Sequence, residues 1–182
     1  MMKANDQIEN LVEELRSKDG AVRERARTNL VSIGKQTVPY LVGLLSDGKQ
    51  QVRWEACKAL GSIMDPAAAT PLTMALSDES DGVRWAAAEA LIALQKHALE
   101  PLLQILETKF ESPYVRERAH HILHALESQD LLNEEAAAVL EALRYTQPKI
   151  SVAVAAHKAL HTARKSAHKP AGHKMKDEKK GR

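Results

Sequence analysis

One phrase, repeated four times, constrains what this chain can fold into more than any other feature. The dipeptide Val-Arg recurs at Val22-Arg23, Val52-Arg53, Val83-Arg84 and Val115-Arg116, at steps of 30, 31 and 32 residues. Three residues after each arginine stands an alanine: Ala26, Ala56, Ala87 and Ala119. Seven residues after each stands a leucine: Leu30, Leu60, Leu91 and Leu123. A decayed fifth copy reads VAVAAHKAL, where Val152, Ala156 and Leu160 keep their columns and Ala153 replaces the arginine. Self-similarity at such a period marks an array of supersecondary units rather than one irregular core.

Each unit holds two helical patterns. Val52, Ala56, Ala59, Leu60 and Ile63 follow the spacing of one helix face. Before them TVPYLVGLL places Val38, Leu41, Leu44 and Leu45 on one side. Asp65-Pro66 and Ser112-Pro113 put a capping side chain ahead of a proline whose missing N–H costs nothing at the first helical position. The patterns predict ten helices, at 7–17, 21–33, 36–46, 50–63, 67–77, 82–95, 98–108, 113–127, 131–145 and 149–163, and no strand. A helix pair of this length cannot bury its apolar face alone, so neighbours must stack. The expected fold is all-α: an α-solenoid of about five helix pairs, 7–33, 36–63, 67–95, 98–127 and 131–163, after a short lead at 1–6 and before a tail at 164–182.

The pattern L-x-x-L-L-S-D…V-R-x-x-A-x-x-A-L resembles the HEAT repeat, in the short form found in phycobilisome-lyase-type HEAT-like proteins. The resemblance covers residues 8–163 and is strongest through 127. It implies a right-handed superhelix with the Val-Arg helices lining the inner, concave face. It further implies that the arginine column pairs with aspartates such as Asp47 or Asp78 to knit adjacent turns.

At about 100° per residue, the buried columns leave three others facing the groove. They read Glu24, Trp54, Trp85, Glu117, Val154; then Thr28, Lys58, Glu89, His121, Lys158; then Val31, Gly61, Ile92, His124, His161. Two tryptophans in adjacent repeats, with Ile92 near them, are the residue type that dominates protein–protein hot spots. The expected contact patch is Trp54, Trp85 and Ile92 with Lys58, Glu89, Glu117, His121 and His124; the competing reading has the indoles lying flat as packing.

Charge gives little support for a nucleic-acid track along the body. Residues 162–182 carry eight basic and two acidic groups, leaving 18 basic and 22 acidic groups on residues 1–161. Phosphate binding needs a surface of one positive sign, and only the tail offers one, for weak contact with nucleic acid or an acidic protein. His120 and His124, and likewise His157 and His161, stand four apart and fall in matching columns, the spacing of a metal-chelating pair; solvent-facing histidines are the simpler reading. Helix 149–163 is apolar nearly all round, which points to docking on another molecule or a second copy. There is no G-x-S-x-G, no Cys-x-x-Cys, no H-E-x-x-H and no phosphate-cradling glycine loop. No signal peptide and no membrane span are read, so a cytoplasmic location is expected. The leading expectation is a non-enzymatic scaffold for a protein partner, with no cofactor. The family resemblance suggests as an alternative an accessory role in chromophore or cofactor attachment.

Overall fold

The repeated columns become the core of the fold. In the computed structural model, which describes residues 4–144 and 151–167, Ala26, Ala56, Ala87 and Ala119 and the leucines Leu30, Leu60, Leu91 and Leu123 are all fully buried. Each such leucine contributes about 1.5–3 kcal/mol by leaving water. The alanines have no bulk, so they let neighbouring helices approach.

The described residues form ten α-helices and no strand. In chain order they are α1 (Ala4–Glu14), α2 (Gly20–Ile33), α3 (Val38–Leu44), α4 (Gln50–Ile63), α5 (Ala69–Ala75), α6 (Asp81–Ala93), α7 (Leu99–Lys109), α8 (Pro113–Glu127), α9 (Glu134–Arg144) and α10 (Ser151–Ala167). The molecule is an α-solenoid. Helices α2, α4, α6 and α8 stack side by side as an inner row, and each packs on the helix that precedes it.

Helix ends follow local chemistry. Asp19 caps α2 by accepting from Ala21 N at 2.8 Å, and Ser112 caps α8 by accepting from Val115 N at 3.4 Å. The predicted segments 36–46 and 67–77 are not helical throughout in the α sense. They open with tighter 3₁₀ turns at Gly34–Thr37 and Pro66–Ala68, and a third lies at Gln95–Ala98. These turns reverse the chain between repeats, and Thr37 Oγ1 fastens the first by donating to Leu30 O and Gly34 O.

The first four inner helices are each followed by a residue with positive φ: Gly34, Met64, Gln95 and Asp130. Only glycine adopts that conformation freely, and other residues are strained there. Met64, at φ 54°, is 58% exposed, so its side chain has little packing to lose. Met64→Gly should therefore raise unfolding stability by about 0.5–1 kcal/mol, read as a shift in the denaturant midpoint.

The arginine column has a more local role than pairing with aspartates. Nη1 of Arg23 donates to Ser17 O and Lys18 O, that of Arg84 to Asp78 O and Glu79 O, and that of Arg116 to Phe110 O and Glu111 O. Each clamps the loop that enters its own helix. Arg53 does this through Asp47 O and also reaches the next repeat, gripping Asp78 with Nε at 2.7 Å and Nη2 at 2.9 Å. Asp47's carboxylate is held instead by Arg16, at 2.6 Å.

The last pair breaks the pattern. Helix α9 packs beside α8, and α10 packs against α7 and α9, so the two helices exchange layers. No 3₁₀ turn follows α8. Leu131 N bonds back to Leu126 O at 3.0 Å across Asp130, and Asn133 starts α9 afresh by accepting from Ala136 N. This hairpin folds α9 directly onto the inner row. The expectation that Val154, Lys158 and His161 continue the groove columns is thereby corrected, because α10 lies in the outer layer beside α7. On α10, Val152, Ala156, Ala159 and Leu160 are buried, while Val154 stays 61% exposed.

Candidate partner-binding surface

The exposed side of the inner row is built by register. One residue after each arginine, α4 and α6 present an indole, and four residues later a charged side chain. Trp85 is 46% exposed and Trp54 is half-buried. Between them lies a cavity of about 350 Å³, lined also by Cys57, Lys58, Gly61, Ala86, Glu89 and Ala93. Its floor is narrow because α4 and α6 nearly touch: a Cβ on Gly61 would stand 2.8 Å from Ala90 Cα.

Each indole is held by neighbours as well as exposed. Lys58 Nζ stands 4.5 Å above the Trp54 ring, a cation–π contact. The His121 ring stacks on Trp85 at 4.9 Å, and His121 Nε2 lies 2.9 Å from Glu89 Oε1. Arg118 Cζ sits 5.3 Å from the same indole. Trp85 is therefore the shared wall between the first cavity and a second of about 380 Å³, lined by Glu117, Arg118, His120, His121 and His124. Among the expected contact residues, Trp54, Trp85, Lys58, Glu89, Glu117, His121 and His124 line one cavity or the other. Ile92 does not. It is partly buried against the core, and Ala93 takes the lining position.

Two sequence profiles describe this arrangement. That of HEAT repeats matches residues 8–92, and that of the PBS lyase HEAT-like repeat matches residues 83–108. Residues 8–108 thus belong to the HEAT-repeat family. Among solved structures this HEAT-repeat protein is similar to one from the complex of CpcE and CpcF of phycocyanin lyase from Nostoc sp. PCC7120. The two share 25% identity with a TM-score of 0.58, over 83% of this chain and 98% of that one. It is also similar to the MAST/Orbit N-terminal domain, at 18% identity and a TM-score of 0.50 over 87% of this chain and 84% of that one, a likeness of fold alone. No curated protein matches by sequence.

The histidines of the HEAT array do not gather into one centre. His120 and His124 stack at 6.2 Å on α8. His157 is on α10, where its Nδ1 lies 2.6 Å from Glu107 Oε1 of α7, and His161 shares that helix. Among the described residues no group of three or more His, Cys, Asp or Glu side chains could hold a metal ion. Burial lowers the proton affinity of His120, and the neighbouring His124, Arg144 and His121 lower it further against the opposing Glu127. Cys57, fully buried behind the first cavity, is pushed up to about 12 by burial, so its thiol stays protonated and is a poor nucleophile.

Sequence reasoning missed Tyr114 and the pairing of Arg118 with Asp81. Arg118 Nη2 reaches back to Asp81 Oδ1 at 2.7 Å, and Arg84 Cζ lies 4.2 Å from the Tyr114 ring. The only available signal was their place near the N-terminal ends of α6 and α8. Among the described residues no helix is long and apolar enough to cross a membrane. Of the basic tail, residues 164–167 belong to α10 and the rest lies outside the described residues.

Proposed function

We propose that this HEAT-repeat protein is a non-enzymatic interaction module that binds a protein partner on the exposed face of its inner row. The observation that carries this reading is the exposed Trp85, set between two cavities on a row of helices fixed by a continuous core. Tryptophan and arginine beside apolar cavities are the residue types that supply most binding energy at interfaces. A surface made on packed helices also loses little freedom on binding. Affinity capture from native lysate tests it, comparing the wild type with Trp54→Ala/Trp85→Ala after circular dichroism shows both folded. A protein retained by the wild type and lost from the double variant is the expected result. Unchanged capture would assign the indoles to packing.

A second reading is favoured by the likeness to the CpcE–CpcF phycocyanin lyase complex, which extends over nearly the whole of that chain. On this reading the protein assists attachment of a chromophore or cofactor. It rests on similarity rather than on a catalytic group, and fold alone does not carry activity. Mixing with a bilin and recording the absorbance spectrum separates the two readings: a shifted band supports the accessory role, and an unshifted one leaves the interaction module.

A further inference from the structure

At the N-terminal ends of α6 and α8, the ion pairs have their cations inside and, apart from the buried Asp78 paired with Arg53, their anions outside. The side chains of Arg53, Arg84 and Arg118 are 8%, 9% and 10% exposed. The carboxylates beside them are open: Glu79 at 84%, Asp81 at 68% and Glu117 at 66%. The patch is contiguous. Arg53 Nη2 lies 3.1 Å from Glu79, Arg84 Nη2 2.9 Å from Asp81, and Arg118 Nη2 2.7 Å from Asp81 and 3.8 Å from Glu117. Solvent therefore meets negative charge, although positive charge lies beneath it.

Two exposed aromatic rings stand in the same patch, Trp85 at 46% and Tyr114 at 53%. Each already has a guanidinium of this chain against it, at 5.3 Å and 4.2 Å respectively. Aromatic faces rimmed by carboxylates recognise a cation twice, through the ring quadrupole and through Coulomb attraction. Of the nearby cations, half-buried Arg116 is tied to the carbonyls of Phe110 and Glu111, and Lys109 at the end of α7 to Ser77 Oγ at 3.4 Å.

We propose that this edge of the inner row receives a lysine- or arginine-bearing segment of the protein partner. The inference rests on the partner-binding reading above and names the partner's chemistry. Complementary charge would speed and orient encounter, while the rings would hold the aliphatic stems of the basic side chains. Nucleic acid and acidic segments would be repelled.

Fluorescence anisotropy with labelled decapeptides tests this on the full chain, using a Lys/Arg-rich, a Glu-rich and a neutral Ser/Gly sequence. The basic peptide should bind and the other two should not, with binding weakened about five-fold or more as salt is raised. Glu79→Gln/Glu117→Gln, on exposed positions, and Tyr114→Ala should each weaken it by about three-fold or more. Equal binding of the Glu-rich peptide would overturn the proposal, as would no binding of the basic one. So would an equal loss on Glu9→Gln/Glu14→Gln in α1, because that would reduce the effect to net charge. Failure here with partner capture still lost on Trp54→Ala/Trp85→Ala would remove this inference and leave the function standing.

Discussion

Arg53→Met should lower unfolding stability by about 3 kcal/mol, the scale of breaking a buried ion pair. Arg53 sits almost out of solvent, with its guanidinium forked onto Asp78, itself 9% exposed, and one further N–H on Asp47 O. The hydrogen bond to Asp78 raises its proton affinity against the opposing effect of burial. Methionine would retain the stem's packing and leave the Asp78 carboxylate buried without its main partner. The remaining donors to Asp78 include the backbone N–H of Ser80, which cannot replace a positive charge. Arg116→Met supplies the comparison. Its Nη1 reaches only the carbonyls of Phe110 and Glu111, so about 1 kcal/mol is expected. Denaturant titration checks both. In an Asp78→Asn background the loss from Arg53→Met should shrink by 1 kcal/mol or more, because the pair is coupled.

Two helical glycines should respond to alanine with opposite signs. In an open helix position Gly→Ala gains about 0.5–1 kcal/mol, and Gly43 in α3 has nothing within 4 Å of where its Cβ would stand. Gly61 is the contrary case. Its Cβ would meet Ala90 Cα at 2.8 Å and Ala90 Cβ at 2.9 Å, and backbone cannot rotate aside. Gly61→Ala should force α4 from α6 at a cost of about 1–3 kcal/mol, as for other overpacked cores. It should also disturb the cavity between Trp54 and Trp85, since Gly61 and Ala90 form part of its lining. Paired unfolding curves for Gly43→Ala and Gly61→Ala check the sign difference, and the intrinsic tryptophan spectrum reads the change in the cavity.

Much of this architecture was legible because a stacked repeat writes each structural demand four times. The alanine and leucine columns predicted burial without error, since every copy answers the same packing need. The groove columns were legible for the same reason: Trp85, Lys58, Glu89 and His124 are exposed where helical geometry put them. What could not be read is what happens once. The exchange of layers by α9 and α10 depends on a single hairpin at 128–133, and no periodicity announces it. Its faint trace was the loss of the arginine at Ala153. Ile92 lay one residue from the cavity because a column assigned at a fixed angle cannot register how close two helices come. Gly61 sat in an exposed column yet is buried, and the reason is its contact with Ala90. The pairing of Arg118 and the contact of Tyr114 escaped notice because they are made with Asp81 and Arg84 of the neighbouring repeat, a relation between helices rather than along one.

A photo-crosslinking residue placed at position 58, on the inner row, or at position 74, on the outer row, tests the central claim most directly. Lys58 borders the cavity between the indoles, and Met74 is 57% exposed on the opposite layer, so both positions are open to solvent. Irradiation in native lysate should give a discrete crosslinked protein from position 58 that disappears with Trp85→Ala, and none from position 74. A discrete partner captured from position 74 and not from position 58 would contradict the account and move the binding surface to the outer helices.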